Sequence, residues 1–160
     1  MKNITITVPI EGRSLEELQP DDRQLVEKAI KACDNAYAPY SEFHVGACIR
    51  LQNGIEIIGA NQENAAYPSG LCAERTAVYA AQAQYPDQPI TTLAIAARNR
   101  NGEMMAVPTA PCGNCRQSLL EVEDRYHQPI RTLLYGTEGT YILPSIQSLL
   151  PLCFIGSSME

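Results

Sequence analysis

Cys72-Ala73-Glu74 opens an Ala-rich stretch that reads as a helix to about Gln84, and Cys112-Gly113-Asn114-Cys115 opens a second that reads as a helix to about Glu123. Between them, Thr-Thr-Leu-Ala-Ile-Ala-Ala at residues 91–97 suits a buried strand. Two cysteine-bearing helix starts 40 positions apart restrict the fold sharply if they act together. Strand–helix–strand crossovers supply the way, because they return successive helix starts to the same strand-end of a sheet. A helix N-terminus also presents unpaired N–H groups and a partial positive charge, which favour thiolate over thiol.

The rest of the chain supplies the elements such a sheet needs. Residues 1–20 read as an extended arm with a short turn, and residues 21–160 as one domain, since 160 residues leave little room for a second core. Leu25, Ala29 and Cys33 recur every four positions, so residues 22–36 read as an amphipathic helix that Pro39 stops. From Phe43 the period changes to two through Val45, Ala47, Ile49 and Leu51, and Asn53-Gly54 turns the chain into a second strand from Ile55 to about Ala60. Residues 130–135 and Thr140–Leu143 form two further strands about a turn at Thr137-Glu138-Gly139, and Ser145 suits the cap of a last helical turn. Helix, hairpin, helix, strand, helix, hairpin is the order of an α/β fold with a mixed sheet and helices on its faces.

Composition narrows the partners. The net charge is −6 and the basic residues are scattered, which argues against a polynucleotide ligand and for a small or neutral one. No apolar run approaches the ~20 residues of a spanning helix, and the alternating Met1–Val8 lacks the continuous apolar stretch of a signal peptide, so no membrane partner and a cytosolic location are expected. Six cysteines in that compartment point to metal binding, catalysis or core packing rather than disulfides.

Cys72, Cys112 and Cys115 offer three soft ligands and leave a fourth tetrahedral position free, the pattern of a catalytic zinc rather than a closed structural one. Glu74, in the same first helical turn as Cys72, is placed to act on a metal-activated water without being a ligand. The residues alone leave other readings open. The trio also suits three unrelated core cysteines, or a redox pair at Cys112 and Cys115. A closed structural zinc completed by His44, His127 or Cys48 is a further reading. Cys33 and Cys48 otherwise read as core, and Cys153 as core or interface.

Cys72-Ala73-Glu74 and Pro111-Cys112-Gly113-Asn114-Cys115 resemble the signature of the zinc-dependent cytidine deaminases, in the homotetrameric three-cysteine form. The resemblance takes in Tyr37–Ala47 ahead of the first hairpin, Asn61-Gln62-Glu63-Asn64-Ala65-Ala66-Tyr67-Pro68, and Leu149-Leu150-Pro151 with Phe154, so it covers roughly residues 22–155. His44 stands where the family commonly has Pro, and the arm is longer than in compact members. The resemblance implies a three-layer cytidine deaminase-like fold with a mixed five-stranded sheet. It implies one Zn2+ per chain on the three cysteines, Glu74 as proton shuttle, and Arg75 offsetting the thiolate charge. It assigns Phe43, Asn61, Glu63, Tyr67, Ala73 and Phe154 to the nucleoside, with Phe154 reaching a neighbouring subunit's pocket in a homotetramer. The activity it implies is deamination of free cytidine and deoxycytidine in pyrimidine salvage.

Overall fold

The computed structural model describes residues 2–159. Its frame is one mixed sheet built from β1 (Glu11–Arg13), β2 (His44–Leu51), β3 (Glu56–Ala60), β4 (Ile90–Arg98), β5 (Arg131–Gly136) and β6 (Gly139–Leu143), in the order β1-β6-β5-β4-β2-β3. The sheet thus has six strands where five were expected. The sixth comes from the arm, where three exposed residues pair antiparallel with β6. Glu-Gly-Arg has neither alternation nor β-branched residues to announce a strand; pairing to an existing edge makes it one.

Three helices cover the sheet: α1 (Pro20–Ala32), α2 (Ala73–Gln84) and α3 (Gly113–Tyr126). Successive strand residues face opposite sides, and the apolar sequence fills both. On one side Leu25, Val26 and Ala29 of α1 meet Cys48, Ala94 and Leu133. On the other, Ala77, Val78 and Leu119 of α2 and α3 meet Ala47, Ile49, Leu93 and Ile95. These are the three expected layers. Two glycines set how closely helix and sheet approach. A Cβ on Gly46 would lie 2.0 Å from the Ala29 carbonyl, and one on Gly59 would lie 2.3 Å from the Ala73 carbonyl, so any side chain there pushes α1 or α2 off the sheet.

Topology brings the two cysteine segments together. Both β3 and β4 run antiparallel to β2 and therefore parallel to each other. The chain leaves the C-terminal end of β3 for the start of α2, and the C-terminal end of β4 for the start of α3. The two helix starts accordingly share one strand-end of the sheet. α3 then returns the chain to β5, which lies parallel to β4.

Three local expectations shift. Phe43 lies outside the strand it was expected to begin: Glu42 turns the backbone with φ 55°, and pairing starts at His44. The first helix stops at Ala32 and finishes as a 3-10 turn over Cys33–Asn35 before Ala36 turns extended. α3 runs three residues past Glu123, until His127 takes a left-handed C-cap with φ 50°. Ser145 caps as expected, its hydroxyl accepting from the Gln147 N–H at 3.0 Å.

Candidate active site

Cys72 and Cys112 are the N-cap residues of α2 and α3, positions where Ser, Asp or Asn would ordinarily satisfy the first N–H groups. Neither side chain makes a capping bond, and their sulfurs instead face each other at 3.8 Å. Cys115, in the first turn of α3 and buried, places its sulfur 3.5 Å from that of Cys112. All three sulfurs lie within 4.8 Å of one another. Zn–S bonds of about 2.3 Å at tetrahedral angles require sulfurs about 3.8 Å apart, so the set fits a single zinc. Among the described residues no fourth Cys, His, Asp or Glu atom joins this group. Cys48 is buried with the α1-side core, and His127 caps the far end of α3. The closed structural reading therefore has no fourth ligand, and Cys72 beside the pair at Cys112 and Cys115 makes the group more than a two-thiol redox motif.

Electrostatics at the three sulfurs show what a metal would relieve. Three thiolates at this spacing repel one another. A hydrogen bond from Cys115, together with the Arg75 guanidinium, holds Cys72 well below the usual thiol range against the opposing effect of burial. Cys115, as donor to Cys72 and buried, is pushed far above that range. A divalent cation satisfies all three thiolates at once. Arg75 Nη2 donates to the Cys72 sulfur at 3.8 Å, and its Nε is buried without a partner among the described residues. Glu74, the second residue of α2, is 4 % exposed, and burial raises its carboxyl above the ordinary value of 4.5.

A cleft of about 530 Å³ opens beside Cys72 and Arg75, lined also by Tyr40, Asn61, Glu63 and Tyr67. That volume suits a nucleoside-sized ligand. Glu63 Oε2 accepts from the N–H groups of Tyr40 at 2.8 Å and Ser41 at 3.2 Å, and the Ser41 hydroxyl leads these contacts in holding the carboxyl below its ordinary range. Asn61 is partly committed to the fold: Oδ1 accepts from the Val45 N–H at 2.8 Å and Nδ2 donates to the Phe43 carbonyl at 2.9 Å. One amide proton remains for a ligand. Tyr40 and Tyr67 meet edge to face at the rim, with ring centroids 6.1 Å apart. Phe43, Ala73, Glu74 and Phe154 are not among the lining residues. Phe154 is 58 % exposed and stands outside the buried core.

Several organising residues gave no signal in the sequence. Glu123, buried on α3, accepts from the N–H groups of Ile130 at 2.6 Å and Ile146 at 2.7 Å and from the Ser145 hydroxyl at 2.8 Å. Arg116, next to Cys115, bonds two separate loops. On a helix of mixed polarity both read as solvated surface, and only the tertiary fold gives them partners.

Three thiolates with an open coordination position and a buried carboxylate in the same helical turn define a zinc hydrolase site. A sequence profile of the cytidine and deoxycytidylate deaminase zinc-binding region matches residues 19–127. The cytidine deaminase of Halalkalibacterium halodurans is 35 % identical over 142 residues, 88 % of this chain and 98 % of that one. That of Sporosarcina psychrophila is 38 % identical over 101 residues, 63 % of this chain and 69 % of its own. Crystal structures of cytidine deaminases from Burkholderia pseudomallei and Mycobacterium tuberculosis superpose with TM-scores of 0.70 and 0.66. Their identities are 35 % and 30 %; the matches cover 82 % and 85 % of this chain and 97 % and 98 % of theirs. The chain belongs to the cytidine deaminase family, and its Cys72, Cys112 and Cys115 cluster fits one Zn2+ per chain.

Proposed function

We propose that this chain hydrolyses free cytidine and 2′-deoxycytidine to uridine and 2′-deoxyuridine with release of ammonia, as a cytoplasmic enzyme of pyrimidine salvage. The observation that carries the reading is Glu74, buried in the same helical turn as Cys72 of a three-cysteine metal site that borders a nucleoside-sized cleft. When bound, zinc supplies the Lewis acidity that makes water a competent nucleophile near neutral pH. Glu74 takes the proton that the attacking water gives up and delivers it to N3 of the cytosine ring, which makes C4 electrophilic. After addition at C4, Glu74 takes the proton of the new C4 hydroxyl and passes it to the amine; the C4–N bond breaks as the C4 carbonyl forms, and ammonia leaves. Burial raises the Glu74 carboxyl above its ordinary value, so it holds a proton more readily than a solvated carboxylate, which suits a group that takes up and hands on protons. Arg75 supports the metal site by charge, since three thiolates and Zn2+ sum to one negative charge and its guanidinium already bonds Cys72.

Glu63 and Asn61 bind the ribose 3′-hydroxyl. Glu63 holds one oxygen on the Tyr40 and Ser41 backbone and keeps the other for the ligand, and Asn61 offers its remaining N–H. Neither contact calls for a 2′-hydroxyl, so both nucleosides react. Tyr67, the Ala73 backbone at the start of α2, and Phe43 contact the ligand. The net charge of −6 favours free nucleosides over polynucleotides. Phe154 completes the pocket of a neighbouring copy in a homotetramer. Its exposure, together with Leu152 beside it at 89 %, supports that assignment.

An absorbance assay offering cytidine, deoxycytidine, cytosine, cytidine monophosphate and a single-stranded oligonucleotide separately tests the substrate. The two nucleosides should be turned over and the other three left. Turnover confined to the monophosphate or the oligonucleotide would reject the reading, and light scattering of a fully active monomer would reject the shared pocket.

A further inference from the structure

Arg116 sits where three pieces of chain meet. Its Nε donates to the Pro111 carbonyl at 2.8 Å, immediately before the ligand Cys112, and its Nη1 donates to the Leu149 carbonyl at 2.9 Å. The first bond fixes the turn that delivers a metal ligand. The second fixes the segment that continues to Phe154. Gln117, the next residue of α3, adds a bond from Nε2 to the Phe154 carbonyl at 2.9 Å. Glu123 anchors the start of the same segment through the Ser145 hydroxyl and the Ile146 N–H. Between these bonds, Leu149, Leu150, Cys153 and Ile155 pack on the core beside α2 and α3.

We propose that Arg116 is a positioning residue that couples the zinc turn to the C-terminal segment, so that metal retention at Cys112 and the placement of Phe154 depend on one another. Cys112 is the exposed ligand of the three, while Cys115 is buried inside α3. Packing therefore holds Cys112 least, and its sulfur goes where the backbone of residues 111 and 112 puts it. A planar guanidinium has donors in fixed directions and holds two carbonyls at a set separation; a lysine ammonium on a flexible stem does not. Partners that orient metal ligands are worth about 10–100-fold in metal affinity. Arg116 spends one arm on that task and the other on the segment bearing Phe154, so neither can move without straining the other bond.

The test uses the full chain and reads no activity. The sequence contains no Trp, so Phe154→Trp installs a single fluorophore on the coupled segment. In that background, stripping zinc with a chelator should change the emission and anisotropy. Adding Arg116→Gln should release zinc to a chromophoric chelator about 10–100-fold faster, and its zinc-loaded emission should already resemble that of the stripped parent. Arg116→Lys should fall between the two. Gln117→Ala removes only the Phe154 carbonyl bond and should alter emission without hastening zinc release. Should Arg116→Gln fail to fold, the Lys and Gln117 variants still decide the matter. Identical emission in loaded and stripped parent, or zinc release within twofold of the parent in both Arg116 variants, would overturn the coupling. The inference rests on the metal reading, and the two fail differently: a parent protein purified without zinc would sink that reading first.

Discussion

Glu63 separates two roles that a simple truncation would confuse. Its Oε2 is committed to the Tyr40 and Ser41 N–H groups at 2.8 and 3.2 Å, which shapes the loop before β2. In the proposed reading Oε1 accepts from the ribose 3′-hydroxyl. Glu63→Gln tells these apart. The amide oxygen can keep the backbone bonds, but the group then facing the ligand becomes an N–H donor in place of a charged acceptor. A lost hydrogen bond to a charged group costs about 1.5–3 kcal/mol, which at 1.36 kcal/mol per decade is roughly 10- to 150-fold in kcat/KM. Glu63→Ala should lose that and more, because the loop also loses its anchor. The assay is cytidine turnover by absorbance, with zinc content and thermal unfolding measured on the same preparations; metal should stay full in both variants. If Glu63→Gln kept kcat/KM within about twofold while Glu63→Ala lost it, the carboxylate would be a loop anchor alone and the sugar assignment would fall.

Three other expectations follow from the same geometry. Glu74→Gln, close in shape at a buried site, should keep its zinc by metal analysis while kcat falls by at least about 10²–10⁴-fold; near-normal turnover would remove Glu74 as the shuttle. Phe154→Ala should raise KM by about tenfold with little change in unfolding midpoint, in keeping with an aromatic contact of about 0.5–1.5 kcal/mol beyond its area, whereas a lower midpoint at unchanged KM would assign it to packing. Glu56 offers a test of stability against pH: burial opposes its ionisation, yet Lys28 and Arg50 outweigh burial and hold the carboxyl below 4.5. Its contribution is therefore complete above the unfolded value and is lost as the pH falls through the lowered folded one, so Glu56→Gln should cost about 1–2 kcal/mol in urea unfolding at pH 7 and progressively less in acid. A cost independent of pH would refute the ion-pair account.

What the sequence disclosed and what it withheld follow from the range of the forces involved. The hairpin at Asn53-Gly54 was legible because it is local: Gly54 takes φ 85°, a conformation few other residues accept. The cysteine helix starts were legible because residue type and position coincide, and the crossover argument placed them at one end of the sheet without any coordinates. β1 was not legible, since three residues borrow their structure from β6. Phe43 continued the alternating pattern by one position too many, because period says nothing of the turn that Glu42 makes. Within the candidate site, Asn61 read as a sugar ligand or a turn cap, and in the fold its amide ties together the start of β2. Arg116 and Glu123 depend on partners 33 and 23 residues away in sequence, beyond any local pattern.

Cys72 and Arg75 are shared between the cleft and the metal site, but the rest of the cleft wall comes from other pieces of backbone. Cys72, Glu74, Cys112 and Cys115 ride on two helix starts, one of them pressed onto the sheet where Gly59 allows no side chain. Tyr40, Asn61 and Glu63 lie on the segments before β2 and after β3, and Tyr67 on a 3-10 turn. In the proposed reading, a change in the loops alters which ligand is held while Glu74 and the three cysteines keep their places. For a protein engineer this is a scaffold in which the loop after β3 can be varied separately from the reaction chemistry: libraries aimed at residues 61–70 should yield shifted ligand ranges on an intact zinc centre, whereas diversity at residues 72–75 or 111–116, or in the C-terminal segment that Arg116 ties to the zinc turn, should disturb the metal as well.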